Sequence, residues 1–180
     1  MKIKYIQVLK GCIALIITVA ILYAGQAIWQ NYAVDLPLDK ALHGITGVEK
    51  VTWDDSSNIN DSINIYVALK NAENLQKTYH EISKKIEMTL KDKAYDLEIT
   101  DSRSPELDKA YYEIHYFIQK AIVDGDFPFL EETVQKKAAA ARASAKVYVD
   151  DRNIYLQLEK DNHFLYSIVA RHSDRIGGNF

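Results

Sequence analysis

The run Gly11–Trp29, GCIALIITVAILYAGQAIW, constrains this chain more than any other stretch. Its 19 residues carry no charge, and only Thr18 and Gln26 are clearly polar. An α-helix rises about 1.5 Å per residue, so a run of this length just reaches across a hydrocarbon core about 30 Å thick. Within lipid a helix satisfies its own backbone groups, and β-branched Ile13, Ile16, Ile17, Val19 and Ile21 are tolerated there. Lys2, Lys4 and Lys10 precede the run with no acid among them, whereas Asp35 and Asp39 follow it before Lys40. A basic flank stays on the cytoplasmic side, so a single-pass protein is expected at the cell membrane, N-terminus inside and C-terminal domain extracytoplasmic. Tyr5 on one side and Trp29 and Tyr32 on the other fit interfacial belts.

Two other fates of this segment are weighed against an uncleaved signal-anchor. A cleaved signal peptide has a shorter hydrophobic region, about 7–15 residues, ending in a small-x-small site. Gly25-Gln26-Ala27 could serve, but the apolar run continues into Ile28 and Trp29. Leu9-Lys10-Gly11-Cys12 has the outline of an acylation box. There, however, Cys12 precedes the hydrophobic run instead of following it, and a lysine lies inside the box.

Beyond residue 30 the composition is that of a folded domain. Removing the three N-terminal lysines leaves 19 basic residues against 25 acidic ones over residues 31–180, a net charge of −6. Nucleic acid and anionic lipid both call for a basic footprint, so neither is an expected partner. The one cysteine, Cys12, falls in the apolar run. The remainder therefore depends on packing, with neither disulfide nor thiolate chemistry. About 150 residues suffice for a real core.

The chain then divides by pattern. Residues 30–36 are a connector, and Pro37 opens a short helix through His43 that Gly44 stops. Val48–Trp53 and Ile63–Leu69 read as strands, the second with Ile63, Ile65, Val67 and Leu69 on one face. Asp54–Ser62 between them reads as a polar hairpin loop. Asn71 is the expected N-cap of a helix over roughly 72–92, whose apolar face is Leu75, Tyr79, Ile82, Ile86 and Leu90, with Met88 off the stripe. Tyr95, Leu97 and Ile99 alternate as a third strand. Residues 37–101 thus form an αββαβ module, helices on one side of an antiparallel or mixed sheet.

A second module, ααβββ, spans 104–171. Ser104-Pro105 caps a helix carrying Leu107, Tyr111, Ile114, Ile118 and Ala121 to Asp124, and Gly125 breaks it. A further helix is expected from about Pro128 to Ala145, with Leu130, Val134, Ala138 and Ala141 inward. Lys146–Val149, Asn153–Leu158 and Phe164–Ala170, joined by short turns, predict an antiparallel meander. Residues 172–180 read as a flexible tail. The expected fold class is α+β, a transmembrane helix followed by these two modules.

The αββαβ module resembles the ring-building-motif domains of membrane-anchored secretion and sporulation channel proteins. The resemblance is topological and covers about a third of the chain. It is carried by the short helix, Ile45-Thr46-Gly47-Val48-Glu49-Lys50-Val51 leading into the first strand, Ile63–Leu69 and the capped helix. Such domains pack side by side outside a membrane as oligomeric rings, which implies assembly. The whole chain also looks like single-pass membrane-anchored proteins of Gram-positive bacteria.

Catalytic and cofactor patterns are not found. Counted from Asp54, the positions that an EF-hand fills with Gly and Glu are Ile59 and Ile65. Asn60-Asp61-Ser62 fits the glycosylation acceptor pattern, of consequence only in a eukaryotic secretory setting. His43, His80, His115, His163 and His172 have no partner at recognised metal-ligand spacing and read as surface or interface residues. Asp124, Asp126, Glu131 and Glu132 suit a helix start. No nucleophile elbow or Gly-rich phosphate loop is present. No cofactor, metal or enzymatic activity is expected.

Tyrosine is the unusual feature, 12 residues in all. Tyr112, Tyr116, Tyr148, Tyr155 and Tyr166 are the candidate contact surface, weighed against packing in sheet and core. The function these features imply is a membrane-anchored extracytoplasmic interaction or assembly protein, with self-association or a protein partner. The alternative is a ligand-binding sensor or accessory domain with a pocket between the modules.

Overall fold

A computed structural model describes residues 15–23, 36–54, 62–91 and 93–172. The described part of the apolar run is helix α1, residues 15–23, with its Leu, Ile, Val and Tyr side chains more than half exposed. No helix among the described residues is long and apolar enough to cross a membrane. The rest of Gly11–Trp29, Cys12 included, lies outside the described residues. So do 55–61 of the hairpin loop, with the calcium-like positions and Asn60, and residues 173–180 of the tail.

The class is α+β, with five helices and two three-stranded sheets among the described residues. The first unit comprises α2 (Leu36–His43), β1 (Val48–Asp54), β2 (Ile63–Leu69), α3 (Leu75–Leu90) and β3 (Tyr95–Thr100). Its sheet is mixed: β1 pairs antiparallel with β2, slipping at a bulge between Val48 and Lys50, and β3 joins β2 in parallel. A parallel neighbour requires a crossover, and α3 supplies it. Burial along β2 alternates strictly, placing Ile63, Ile65, Val67 and Leu69 against Leu38, Leu42, Leu75, Ile82 and Ile86 of the helices.

The second unit is α4 (Pro105–Asp124), α5 (Phe127–Ala140) and the antiparallel meander β4 (Ser144–Val149), β5 (Asn153–Lys160) and β6 (His163–Ala170). Ser104 Oγ caps α4 by accepting the Leu107 N–H at 3.3 Å. Gly125 closes that helix in the left-handed region at φ 74°, where a Cβ would be disfavoured, and its N–H reaches Ala121 O at 2.8 Å. Asp161 and Asn162, at φ 50° and 60°, make the tight β5–β6 turn.

Two boundaries differ from expectation. The N-cap of α3 is Asn74, whose Oδ1 accepts the Lys77 N–H at 3.0 Å, and Asn71 sits instead at φ 52°. The meander is the reason. Tyr166 Oη accepts the Ala72 N–H at 2.9 Å and Gln157 Nε2 donates to Ala72 O at 2.7 Å, which holds the backbone of residue 72 out of the helix. Likewise α5 ends at Ala140, not Ala145. Arg142 turns to φ 56°, and Ser144 and Ala145 pair with Glu159 and Leu158. Ladder pairing overrides the helix propensity of the alanines.

The sheets are separate, and the meander divides two cores. Tyr155, Phe164 and Tyr166 pack with the first unit, while Ile154, Leu156, Leu158 and Leu165 pack with α4 and α5. Asp101, in the link between units, accepts the Tyr166 N–H at 2.8 Å and takes Arg103 Nε and Nη2 at 2.9 Å each. Its carboxylate is only 3% exposed, and a buried carboxylate is tolerable when paired in this way.

Candidate functional site

The five candidate tyrosines divide into two groups. Tyr112 and Tyr116 on α4 are 65% and 59% exposed. They stand one helical turn apart, rings edge-to-face at 5.5 Å, and Tyr116 Oη donates to Tyr112 Oη at 2.8 Å. Val123, 84% exposed, extends the same stripe, while Phe129 at the start of α5 lies against Phe117 and Lys120 off the stripe. This stripe is opposite the buried one of Leu107, Ala110, Ile114, Ile118 and Ala121. Lys109, Glu113, Lys120 and Asp124 flank it, with Lys137 Nζ 2.9 Å from Glu113 Oε2 and Lys120 paired with Asp124. The Tyr112 hydroxyl accepting the Tyr116 proton raises the Tyr116 hydroxyl above its ordinary value.

The meander tyrosines do not join that surface. Tyr155 and Tyr166 are buried and Tyr148 is half-buried, because β5 and β6 are covered by the first unit on the face that carries them. Of the two readings weighed for them, contact surface or packing in sheet and core, their burial agrees with packing. Tyr166 clasps Ala72, and Tyr155 anchors a polar cluster at the edge between the units.

That cluster was not foreseen. The β4–β5 turn folds over Asp150, whose Oδ1 accepts the N–H groups of Arg152 at 2.8 Å and Asn153 at 2.7 Å. Its Oδ2 accepts the Tyr155 hydroxyl at 2.8 Å and lies 3.1 Å from His80 Nε2 on α3. His80 Nε2 is also 3.0 Å from Tyr155 Oη, and Asn153 Nδ2 donates to that oxygen at 3.2 Å. Burial by itself would raise the Asp150 carboxyl, but the Asn153 N–H, the Tyr155 hydroxyl and the Arg152 N–H together bring it down to about 2. Burial, helped by the Asp150 carboxylate, pushes the Tyr155 hydroxyl up. A carboxylate with its lone pairs occupied and so low a pKa is a poor proton acceptor near neutrality. The arrangement is suited to holding α3 against the turn.

An open groove of about 480 Å³ runs past this cluster, with Tyr79, Lys84, Glu87, Tyr95 and Arg152 on its walls. Among the described residues no three His, Cys, Asp or Glu side chains converge as a metal site. The turn itself was legible, since Asp at the head of a tight turn bonds its own backbone two or three residues on. Its junction with His80, 70 positions earlier, carries no local signal.

Comparison with known proteins adds no relative: no protein-family model, curated protein or solved structure matches the chain.

Proposed function

We propose that this chain is a membrane-anchored extracytoplasmic interaction or assembly protein without catalytic activity of its own. The observation that carries the reading is the exposed α4 stripe of Tyr112, Tyr116 and Val123, on a helix whose other face is buried. Contiguous apolar surface rimmed by charge is the signature of a contact site, and tyrosine is enriched at such sites. The tether is the apolar run Gly11–Trp29, placed by its basic flank with the bilayer as partner and the folded units outside. The topological likeness of the αββαβ unit to ring-building domains supports the same reading as fold analogy.

The test of the contact uses the full chain in its native membrane with a photoreactive amino acid at Tyr116. A discrete cross-linked product is expected there and not from the same group placed at Lys84; no product from Tyr116 would end this reading. Orientation is tested separately. With Cys12→Ser as background, Asn179→Cys should react with a membrane-impermeant thiol reagent on intact cells, and protection would reverse the topology.

A second reading, a ligand-binding accessory domain, rests on the groove between the units. Under it a small polar solute raises the melting temperature by mass action, and Arg152→Ala removes the response.

A further inference from the structure

We propose that the surface to which α4 docks is α4 of a second copy of this chain, antiparallel across a two-fold axis. This deepens the assembly reading and rests on it. The argument is self-complementarity. An isologous interface must present one patch that matches itself, with residue i meeting j and j meeting i. In an antiparallel helix pair centred between Phe117 and Ile118, Tyr112 lies opposite Val123 of the second copy and Tyr116 opposite its Gln119. All four side chains are exposed.

The charged flank agrees. Where the two helices cross at an angle, the partners beside the stripe are displaced from those on it, here by about two residues. That displacement sets Lys109 against Asp124 of the second copy and Glu113 against its Lys120. Each pair occurs twice, and each is of opposite sign. In a parallel two-fold pair this flank would instead face the opposite flank of the second copy, and neither of these pairs would form.

The present pairs of these groups do not oppose the exchange. Lys120–Asp124 and Lys137–Glu113 are surface ion pairs with side chains 37–57% exposed, a class that contributes little and re-pairs readily. Phe129, with Lys120 Nζ 6.0 Å from its ring centroid, adds apolar area at the edge of the patch. A bilayer surface is the poorer occupant, because the folded part carries a net charge of −6.

The experiment uses the full chain in nonionic detergent, with Cys12→Ser as background. Tyr112→Cys and Val123→Cys chains carrying different tags are mixed and treated with a short bismaleimide. The mixed product is expected to exceed either self-linked product several-fold. Lys109→Glu should weaken dimerisation about three- to tenfold, since the pair is counted twice. Mixing Lys109→Glu with Asp124→Lys chains should restore it in the heterodimer.

Predominant self-linking of Tyr112→Cys means a parallel pair and overturns the proposed geometry, while leaving the Tyr116 photocross-link and the assembly reading intact. A chain that stays monomeric by light scattering at all concentrations overturns self-pairing outright. Dimerisation unaffected by Tyr112→Ser with Tyr116→Ser places the contact elsewhere and overturns both.

Discussion

The two sheets have three strands each and yet do different work. β2, at the centre of the first, alternates buried with half-buried positions along its whole length, as a strand does when one face meets helices and the other does not. β5, at the centre of the second, is buried without interruption from Ile154 to Leu158. It has a core on each side, so its even and odd positions serve different units. A strand covered on both faces has no surface to offer a partner. This is why tyrosine means packing on the meander and exposure on α4, whose outer face meets no other element among the described residues.

The sharpest way to break this contrast is charge. Ile82→Asp in the first core and Leu156→Asp in the second each bury an unpaired carboxylate, at a cost of about 4 kcal/mol or more. If β5 is a shared partition, Leu156→Asp should lower the thermal transition of the whole folded part, followed by circular dichroism. A surviving melt of the first unit would mean that the cores are independent.

Next in size are the hydroxyls that cross the partition. Tyr155→Phe removes the proton donated to Asp150 and the oxygen beside His80, and Tyr166→Phe strips the acceptor from the buried Ala72 N–H. Each should cost about 1–3 kcal/mol in chemical denaturation, since a buried polar group then loses its partner. Losses well under that range would mean that the units are joined by apolar contact alone.

The contrast also marks the limits of what the sequence reveals. Period-two and period-near-four patterns marked β2, β3, α3, α4 and α5, Pro37 with Gly44 marked α2, and Ser104-Pro105 with Gly125 framed α4 nearly to the residue. Patterns of this kind report on one chain segment and one face. They fail where a distant segment decides. Asn71 has the chemistry of a cap, but Tyr166 and Gln157 seize the next residue, and Asn74 caps instead. The alanine-rich stretch after Ala140 favours helix, but β5 recruits Ser144 and Ala145 as strand. Tyr155 and Tyr166 alternate as surface residues would, and only the docking of the first unit buries them. Of the candidate site, the α4 stripe was legible because it depends on one helix; the His80–Asp150 junction was not.

Acid should expose that junction. The Asp150 carboxyl is at about 2 in the folded chain against an ordinary 3.8, a depressed value. A group of this kind contributes stability that is complete above the unfolded value and is lost as pH falls toward the folded one. The contribution is about 2 kcal/mol at most, and it should disappear between about pH 4 and pH 2. Asp150→Asn is expected to be less stable at pH 7 and to have a shallower decline over that window. An unchanged acid limb would mean that the carboxylate is no better held in the fold than in the unfolded chain.

The smallest effect on stability carries the most information about function. Tyr112→Ser with Tyr116→Ser removes two rings that touch chiefly each other, so the melting of the folded part should shift by no more than about 0.5 kcal/mol per substitution. The same change should weaken association of the full chain by more than tenfold, because each ring is lost twice from a symmetric interface. The two measurements separate a packing role from a contact role within one variant. Loss of stability with association intact would put these tyrosines with Tyr155 and Tyr166. Stability kept and association lost would set α4 apart as the face that the fold leaves for a partner.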